Sequence, residues 1–264
     1  MIARVVTGGV WAAWVLIVIF GTPIVAVVFA CTAPFDRGRY QAGRMFRRLA
    51  VLAARCVPRW DFRTDGVRVR DPRHPYVFVA NHESYADIFL ISHLPWEMKW
   101  MSKDTIFKIP LMGWMMRMAG DIYLKRGNRG SAIDAIAAAR DRLDKRVSVM
   151  IFPEGTRSRG ADLLPFKDGA FRLAVEAQVP VVPIAVAGTR HCMAKGSFLV
   201  QRARAVARVL DPIETAGLAL DDVQALRERV RTTIDRARRD LQRELGLAPA
   251  SEPETSPPDP VAAP

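Results

Sequence analysis

A long uncharged run near the N-terminus is the feature that most constrains how this chain can fold. Residues 5–35 contain no Asp, Glu, Lys or Arg, and residues 10–31 are almost wholly apolar. An α-helix rises about 1.5 Å per residue, so roughly 20 apolar residues suffice to cross the hydrocarbon of a bilayer. We therefore predict an N-terminal helical segment that is embedded in a membrane.

The sequence leaves the form of insertion open. Gly21-Thr22-Pro23 lies in the middle of the run and could either kink one spanning helix or turn a re-entrant one. Val28-Phe29-Ala30-Cys31 is faintly similar to a lipoprotein processing site, which makes a cleaved signal the third alternative. The apolar region is, however, too long and its leading charge too weak for an ordinary signal peptide.

The residues that follow the run suit a membrane surface. Residues 37–57 alternate arginines with apolar side chains, a pattern typical of an amphipathic helix lying among anionic headgroups. Because the basic excess follows the apolar run, the main domain is predicted to lie at the cytoplasmic face of the cell membrane. We assign residues 1–58 to a membrane-inserted or interfacial helical anchor.

The net charge of +12 predicts attraction to a polyanion: nucleic acid, an anionic membrane surface or a phosphorylated substrate. The sequence contains no recognised nucleic-acid-binding module and no interleaved aromatic and basic patch, so we predict no nucleic-acid partner. Three cysteines without C-x-x-C spacing and four scattered histidines predict neither a disulfide framework nor a metal site.

Beyond residue 58, segments with strand and helix patterns alternate along the chain. This alternation predicts an α/β domain over residues 59–247, with a largely parallel sheet covered by helices on both faces. The tail at residues 248–264, rich in Pro, Ala, Ser and acids, is predicted to be disordered. The predicted strands are residues 61–69, 76–80, 98–101, 121–125, 147–152, 181–186 and 203–210, and the predicted helices are residues 86–93, 111–118, 131–145, 169–178 and 221–245.

The stretch Asn81-His82-Glu83-Ser84-Tyr85-Ala86-Asp87 follows the predicted strand at residues 76–80. In parallel sheets, active residues gather on the loops that follow strands, and a histidine with a nearby carboxylate is a candidate acid/base pair. A helix cap explains the same residues equally well, because Ser84-x-x-Asp87 fits a capping box. Taken alone, the stretch leaves both interpretations open.

A second candidate stretch, Phe152-Pro153-Glu154-Gly155-Thr156-Arg157, ends the predicted strand at residues 147–152. Gly155 permits a tight turn whose N–H groups could face one anion, and Thr156 and Arg157 could add donors to a phosphate. Glu154 could orient Arg157 or receive a substrate hydroxyl. The alternative is a solvated turn held by a surface ion pair.

Two further stretches contain candidate site residues. Residues 121–129 end a predicted strand in a basic cluster, in which Arg126 is the best candidate for an anion ligand. Val182-Pro183-Ile184 is more typical of a core strand than of a site, although Pro183 could shape a strand end beside a groove.

The combination and order of these four stretches resembles the glycerolipid acyltransferases and, more narrowly, the bacterial 1-acyl-sn-glycerol-3-phosphate acyltransferases. The resemblance extends over about residues 60–210, and the membrane-bound N-terminus agrees with it. One departure is Lys125, which stands where that family often has an acid before the arginine.

The resemblance implies direct acyl transfer to a lysolipid, giving phosphatidic acid, without an acyl-enzyme. It assigns His82 as the general base on the sn-2 hydroxyl and Asp87 as its orienting partner. Arg126, Arg157 and the turn at Glu154, Gly155 and Thr156 would hold the acceptor phosphate, and Lys103 would bind phosphate or the oxyanion. The donor would be acyl-CoA or acyl-carrier protein, with no other cofactor and no metal.

Other functions remain compatible with the sequence. The same chemistry could act on a lyso-ornithine lipid or another lysophospholipid, and a non-catalytic, basic membrane-binding protein is a different class. Acyl-chain length, choice of donor and oligomeric state are not indicated by the sequence.

Overall fold

The computed structural model describes residues 2–69, 71, 73–158, 162–193 and 199–247, so the predicted disordered tail at residues 248–264 lies outside the described residues. Each predicted strand and helix is present with bounds that differ by a few residues, and the short helix α4 is an addition. The strands are β1 (Trp60–Gly66), β2 (Val77–Ala80), β3 (Met98–Lys103), β4 (Ile122–Leu124), β5 (Ser148–Ile151), β6 (Val181–Ala187) and β7 (Ala203–Val209). The helices are α1 (Ile2–Thr32), α2 (Tyr40–Arg55), α3 (Ala86–Ile91), α4 (Asp104–Phe107), α5 (Met112–Ala119), α6 (Arg129–Asp144), α7 (Gly169–Ala177) and α8 (Val223–Glu244).

The strands form one sheet in the order β1-β7-β6-β2-β5-β3-β4. Neighbouring strands are parallel except β6 and β7, which are antiparallel, so the prediction of a largely parallel sheet is confirmed. The five strands from β2 to β6 all run in one direction. Their carboxyl ends therefore meet at one edge of the sheet, where open α/β sheets usually bind ligands.

Alternate residues of β2 pack into different cores, because successive side chains of a strand point to opposite faces. Val77 and Val79 join a core completed by α6, α7 and α8, whereas Phe78 and Ala80 join a second core that includes Leu90 of α3. Burying one such apolar side chain contributes roughly 1.5–3 kcal/mol. Helices thus cover both faces of the sheet, as predicted.

Helix α1 continues without a break through Pro23, and over Val5–Thr32 it is long and apolar enough to cross a membrane. The backbone at this proline is therefore helical and does not form a re-entrant turn. The Trp14 Nε1–H group donates to the Ala53 carbonyl oxygen of α2 (2.9 Å), and the Trp14 ring stacks on Phe89 of α3 with 5.0 Å between centroids. These contacts pack the apolar helix against the globular domain.

Helix α2 confirms the helix predicted within residues 37–57, but one of its arginines, Arg47, is buried against the sheet and does not face headgroups. Arg47 of α2 pairs with Asp121, and Lys99 of β3 pairs with Glu97 at 2.8 Å. The Lys99 Nζ atom also donates to the carbonyl oxygen of Arg39, directly before α2 (2.7 Å). Removing one partner of a buried ion pair costs about 3–5 kcal/mol, so these contacts hold α2 firmly against β3.

Candidate active site

The ends of four parallel strands bring the residues singled out in the sequence to one edge of the sheet. His82 follows β2, Glu154 and Arg157 follow β5, Arg126 follows β4, and Lys103 is the last residue of β3. Because β2 lies beside β5 in the sheet, the loops that follow these two strands are neighbours.

His82 and Asp87 form a hydrogen-bonded pair, with 2.7 Å between the His82 Nδ1 and Asp87 Oδ2 atoms. Asp87 Oδ2 also accepts hydrogen bonds from the backbone N–H groups of Glu83 (2.8 Å) and Ser84 (3.0 Å). Since Oδ2 serves as an acceptor throughout, the His82 ring proton is placed on Nδ1 and the Nε2 lone pair is left to accept a proton. The His82 ring stacks on Phe152 with 4.1 Å between centroids, which fixes its plane.

The Asp87 carboxylate also makes one of the contacts that the helix-cap interpretation predicts. The Asp87 Oδ2 atom accepts a hydrogen bond from the Ser84 N–H group, and this bond is one half of a capping box. The Ser84 Oγ atom accepts a hydrogen bond from the Ala86 N–H group at 3.3 Å. The Asp87 side chain therefore makes both the cap contact and the contact with His82. Ser84 serves as a local helix-start residue in this arrangement.

The loop after β5 forms hydrogen bonds with both the backbone N–H group and the backbone carbonyl of His82. The Glu154 Oε1 atom accepts from the His82 N–H group (2.8 Å), and the Ser158 N–H group donates to the His82 carbonyl oxygen (2.9 Å). The Glu154 Oε2 atom accepts from the Leu164 N–H group (3.1 Å). Burial raises the pKa of Glu154, and these two amide donors oppose that rise.

The contacts of Glu154 differ from the phosphate-binding role suggested by the sequence. Both of its carboxylate oxygens are bonded to backbone amides, so the side chain points into the protein and supports the histidine loop. The next residues complete the turn: Gly155 has φ +69°, a left-handed conformation that favours glycine, and Thr156 is exposed.

Two arginines of the predicted site, Arg126 and Arg157, lie near Tyr85. The Arg157 guanidinium carbon lies 4.0 Å from the centre of the Tyr85 ring, in cation–π geometry. Partial burial lowers the pKa of Arg126, and the nearby charge of Arg157 lowers it further, although Tyr85 opposes the change. Two cations that interact electrostatically on strand-end loops form a surface that favours a bound anion. Lys103 is exposed and pairs with Leu124 in the sheet register, two residues before Arg126.

Three residues near the pair were not singled out by sequence patterns: Glu83, Thr189 and Arg190. The Thr189 hydroxyl donates to Asp87 Oδ1. The Glu83 Oε2 atom lies 3.4 Å from both the Thr189 hydroxyl and the Arg190 N–H group. Burial, together with the Asp87 charge, raises the pKa of Glu83 to about 7 against the opposing charge of Arg190.

Replacing Glu83 by glutamine is expected to change how the stability depends on pH. Between pH 4.5, the ordinary value for glutamate, and about pH 7, the unfolded chain loses this proton while the folded chain keeps it, so wild-type stability falls as pH rises. The full cost above pH 7 is on the order of 3 kcal/mol. Glu83→Gln cannot ionise, so its unfolding free energy relative to wild type should increase from pH 4.5 to 7 and then level off.

The measurement is the thermal unfolding midpoint in detergent at pH 5 and pH 8 for both proteins. Glu214→Gln, at an exposed glutamate, is the matched control and should track the wild type. A difference between Glu83→Gln and wild type that is the same at both pH values would contradict the expectation.

Comparison with known proteins adds a family relationship to this geometry. Residues 61–187 match the sequence model of the acyltransferase family. The chain is 34% identical over 224 residues to the human 1-acyl-sn-glycerol-3-phosphate acyltransferase alpha, an alignment that covers 84% of this chain and 76% of the relative. It is 33% identical over 193 residues to the 1-acyl-sn-glycerol-3-phosphate acyltransferase of Saccharomyces cerevisiae, covering 72% of this chain and 62% of that relative's length.

A solved structure has the same fold. The crystal structure of the 1-acyl-sn-glycerophosphate (LPA) acyltransferase from Thermotoga maritima matches with a TM-score of 0.75 and 25% sequence identity. The match covers 90% of this chain and 95% of that chain, so it includes most of the architecture described above.

Proposed function

The chain belongs to the family of 1-acyl-sn-glycerol-3-phosphate O-acyltransferases, and on that basis we propose that it acylates the sn-2 hydroxyl of 1-acyl-sn-glycerol-3-phosphate. The acyl group comes from a thioester, either acyl-CoA or acyl-carrier protein, and the product is phosphatidic acid. The observation that carries this proposal is the His82–Asp87 pair, bonded at 2.7 Å, on the same edge of the sheet as the Arg126 and Arg157 cations.

In the proposed reaction, His82 acts as the general base. Its Nε2 atom takes the proton of the acceptor hydroxyl while the hydroxyl oxygen attacks the thioester carbonyl carbon, giving a tetrahedral intermediate. Collapse of that intermediate breaks the carbon–sulfur bond, and the imidazolium returns its proton to the departing thiolate. Asp87 stabilises the imidazolium between these steps, as the carboxylate does in a serine-protease triad.

The arginines hold the acceptor phosphate in this mechanism. Arg126 and Arg157 supply charged donors, and the exposed Thr156 adds a hydroxyl at the turn that Gly155 makes. Binding the phosphate fixes the glycerol hydroxyl relative to His82, and positioning of this kind supplies up to roughly 7–11 kcal/mol of a reaction barrier. Lys103 is proposed to bind the phosphate or the developing oxyanion. No cofactor other than the acyl donor takes part.

The membrane supplies the acceptor and receives the product. Helix α1 is apolar over Val5–Thr32, and α2 carries the arginines that suit an anionic lipid surface. The basic residues that follow α1 favour the cytoplasmic face of the cell membrane, where soluble acyl donors reach the site. We propose no nucleic-acid partner.

Acceptor choice tests this function directly. Purified protein in mixed micelles would be given labelled acyl-CoA or acyl-carrier protein with lysophosphatidic acid, lysophosphatidylcholine or a lyso-ornithine lipid in turn. We expect the highest kcat/KM for lysophosphatidic acid. Good turnover of another acceptor with none of lysophosphatidic acid would reject the acceptor and retain the chemistry, and no turnover of any acceptor would reject acyl transfer.

Replacing Arg157 by alanine is expected to raise the KM for lysophosphatidic acid by about tenfold to a hundredfold, the equivalent of losing charge-assisted hydrogen bonds to the phosphate. The KM for the acyl donor should change little. Arg157→Lys should restore only part of the loss, because lysine lacks the planar fork and stacks less well on Tyr85.

Steady-state kinetics with each substrate varied in turn measure this effect. Arg229→Ala, at an exposed arginine of α8, is a control that removes the same charge elsewhere. An equal rise in the donor KM, or an equal rise with a monoacylglycerol lacking the phosphate, would show that Arg157 does not bind the acceptor phosphate.

A further inference from the structure

The turn after β6 reaches across to the histidine loop. Gly188 has φ +94°, and a Cβ atom there would lie 2.1 Å from the Arg204 carbonyl oxygen, so this position requires glycine. β6 is the parallel neighbour of β2, with Ala80 opposite Ile184. The turn therefore delivers Thr189 to the loop that follows β2.

Thr189 binds the oxygen of Asp87 that His82 does not use. Asp87 Oδ2 accepts from His82 and two backbone N–H groups, whereas Asp87 Oδ1 accepts from the Thr189 hydroxyl. Asp87 and Thr189 are both completely buried, so water does not compete for these bonds. With donors at both oxygens, the plane of the carboxylate is fixed.

The same turn also supports the loop after β5. The Arg190 Nη2 atom lies 3.1 Å from the Ser158 Oγ atom, and the Ser158 N–H group binds the His82 carbonyl oxygen. Thr189 and Arg190, which are adjacent in the chain, thus contact the orienting carboxylate and the loop that carries Arg157. The turn after β6 therefore contacts both the His82–Asp87 pair and the loop that carries Arg157.

We propose that Thr189 is a positioning residue for acyl transfer: its hydroxyl fixes the Asp87 carboxylate and, through it, the tautomer and orientation of the His82 ring. The kinetic part of this inference rests on the proposed function. Loss of the hydroxyl would leave Oδ1 of a buried carboxylate without this donor, and such a group rotates or takes up a proton to relieve the cost. In either case Asp87 holds the His82 Nδ1–H group less well.

Two substitutions separate the hydroxyl from the rest of the side chain. Thr189→Val keeps the shape and removes the donor, whereas Thr189→Ser keeps the donor and removes a methyl group. Thr189→Val should lower kcat about tenfold, the rate equivalent of losing one hydrogen bond to a charged group. Its KM values for acceptor and donor should stay within about twofold of wild type, and Thr189→Ser should retain most of the wild-type kcat.

A second measurement reports the tautomer of the His82 ring in the absence of substrate. Nitrogen-15 NMR of histidine-labelled protein reports which nitrogen of His82 carries the proton. We expect the Nδ1–H tautomer in wild type and Thr189→Ser, and a mixture of tautomers in Thr189→Val.

The two measurements together decide the inference. A Thr189→Val protein with wild-type kcat and the wild-type tautomer would overturn it, and so would an equal loss of kcat in Thr189→Ser, which would assign the effect to packing. If wild type transfers no acyl group to any lysolipid while Thr189→Val still changes the His82 tautomer, the proposed function fails and the positioning role stands.

Discussion

Replacing His82 by alanine is expected to lower kcat for phosphatidic acid formation by about a thousandfold, within the range that general-base catalysis contributes. His82 is the side chain in the described site whose free ring nitrogen can accept the hydroxyl proton, because its Nδ1 atom is committed to Asp87 at 2.7 Å. Without the base, the hydroxyl must attack while still protonated. The initial rate of product formation in mixed micelles measures the loss.

Binding should survive this substitution. Arg126 and Arg157 are retained, so the KM for lysophosphatidic acid should remain close to that of wild type. His74→Ala, at an exposed histidine, is the matched control and should keep full activity. A His82→Ala rate within tenfold of wild type, in protein with an unchanged unfolding midpoint, would be incompatible with a general-base role.

Asp87→Asn is expected to lower kcat by a similar factor, about a thousandfold or more. The Asp87 Oδ2 atom receives three donors, from His82, Glu83 and Ser84, and Oδ1 receives a fourth from Thr189. An asparagine can keep these contacts, with its amide oxygen at the Oδ2 position and its NH2 group donating to the Thr189 hydroxyl, but it carries no negative charge. The imidazolium that forms when His82 takes the hydroxyl proton then has no buried counter-charge, which costs about 3–5 kcal/mol, on the order of a thousandfold in rate.

The kcat of Asp87→Asn measured beside that of Asp134→Asn, an exposed carboxylate of α6, tests this prediction. Asp134→Asn should behave as wild type. The loss should not be recovered by raising the substrate concentration, since neither binding surface has changed. A loss confined to KM would instead assign Asp87 to substrate binding.

Local patterns were sufficient to predict that His82 and Asp87 lie close together. His82 and Asp87 lie on one short loop between β2 and α3, and backbone geometry over so few residues leaves little freedom in how they meet. The strands were predictable for a similar reason, because buried parallel strands appear as short apolar runs between turns. The two interpretations of Ser84 and Asp87 could not be separated by sequence, and the structure explains why: one carboxylate makes both contacts.

Contacts between distant parts of the chain were not predictable from these patterns. Thr189 meets Asp87 across 102 residues because β6 lies beside β2, and strand order is not encoded in the apolar pattern of any one strand. The inward direction of the Glu154 side chain was not predictable for the same reason. Its partners are the amides of His82 and Leu164, which only the folded chain brings together.

A single-turnover experiment tests the central claim most directly, that His82 drives direct transfer to the hydroxyl of lysophosphatidic acid. Wild type and His82→Ala, each in excess over acyl-labelled acyl-CoA, would be mixed with lysophosphatidic acid and quenched in acid at intervals. The label is then counted in phosphatidic acid and on the protein. We predict that wild type moves the label into phosphatidic acid without protein-bound label, and that His82→Ala leaves it on CoA. Label accumulating on the protein before product appears, or equal product from both proteins, would contradict the mechanism.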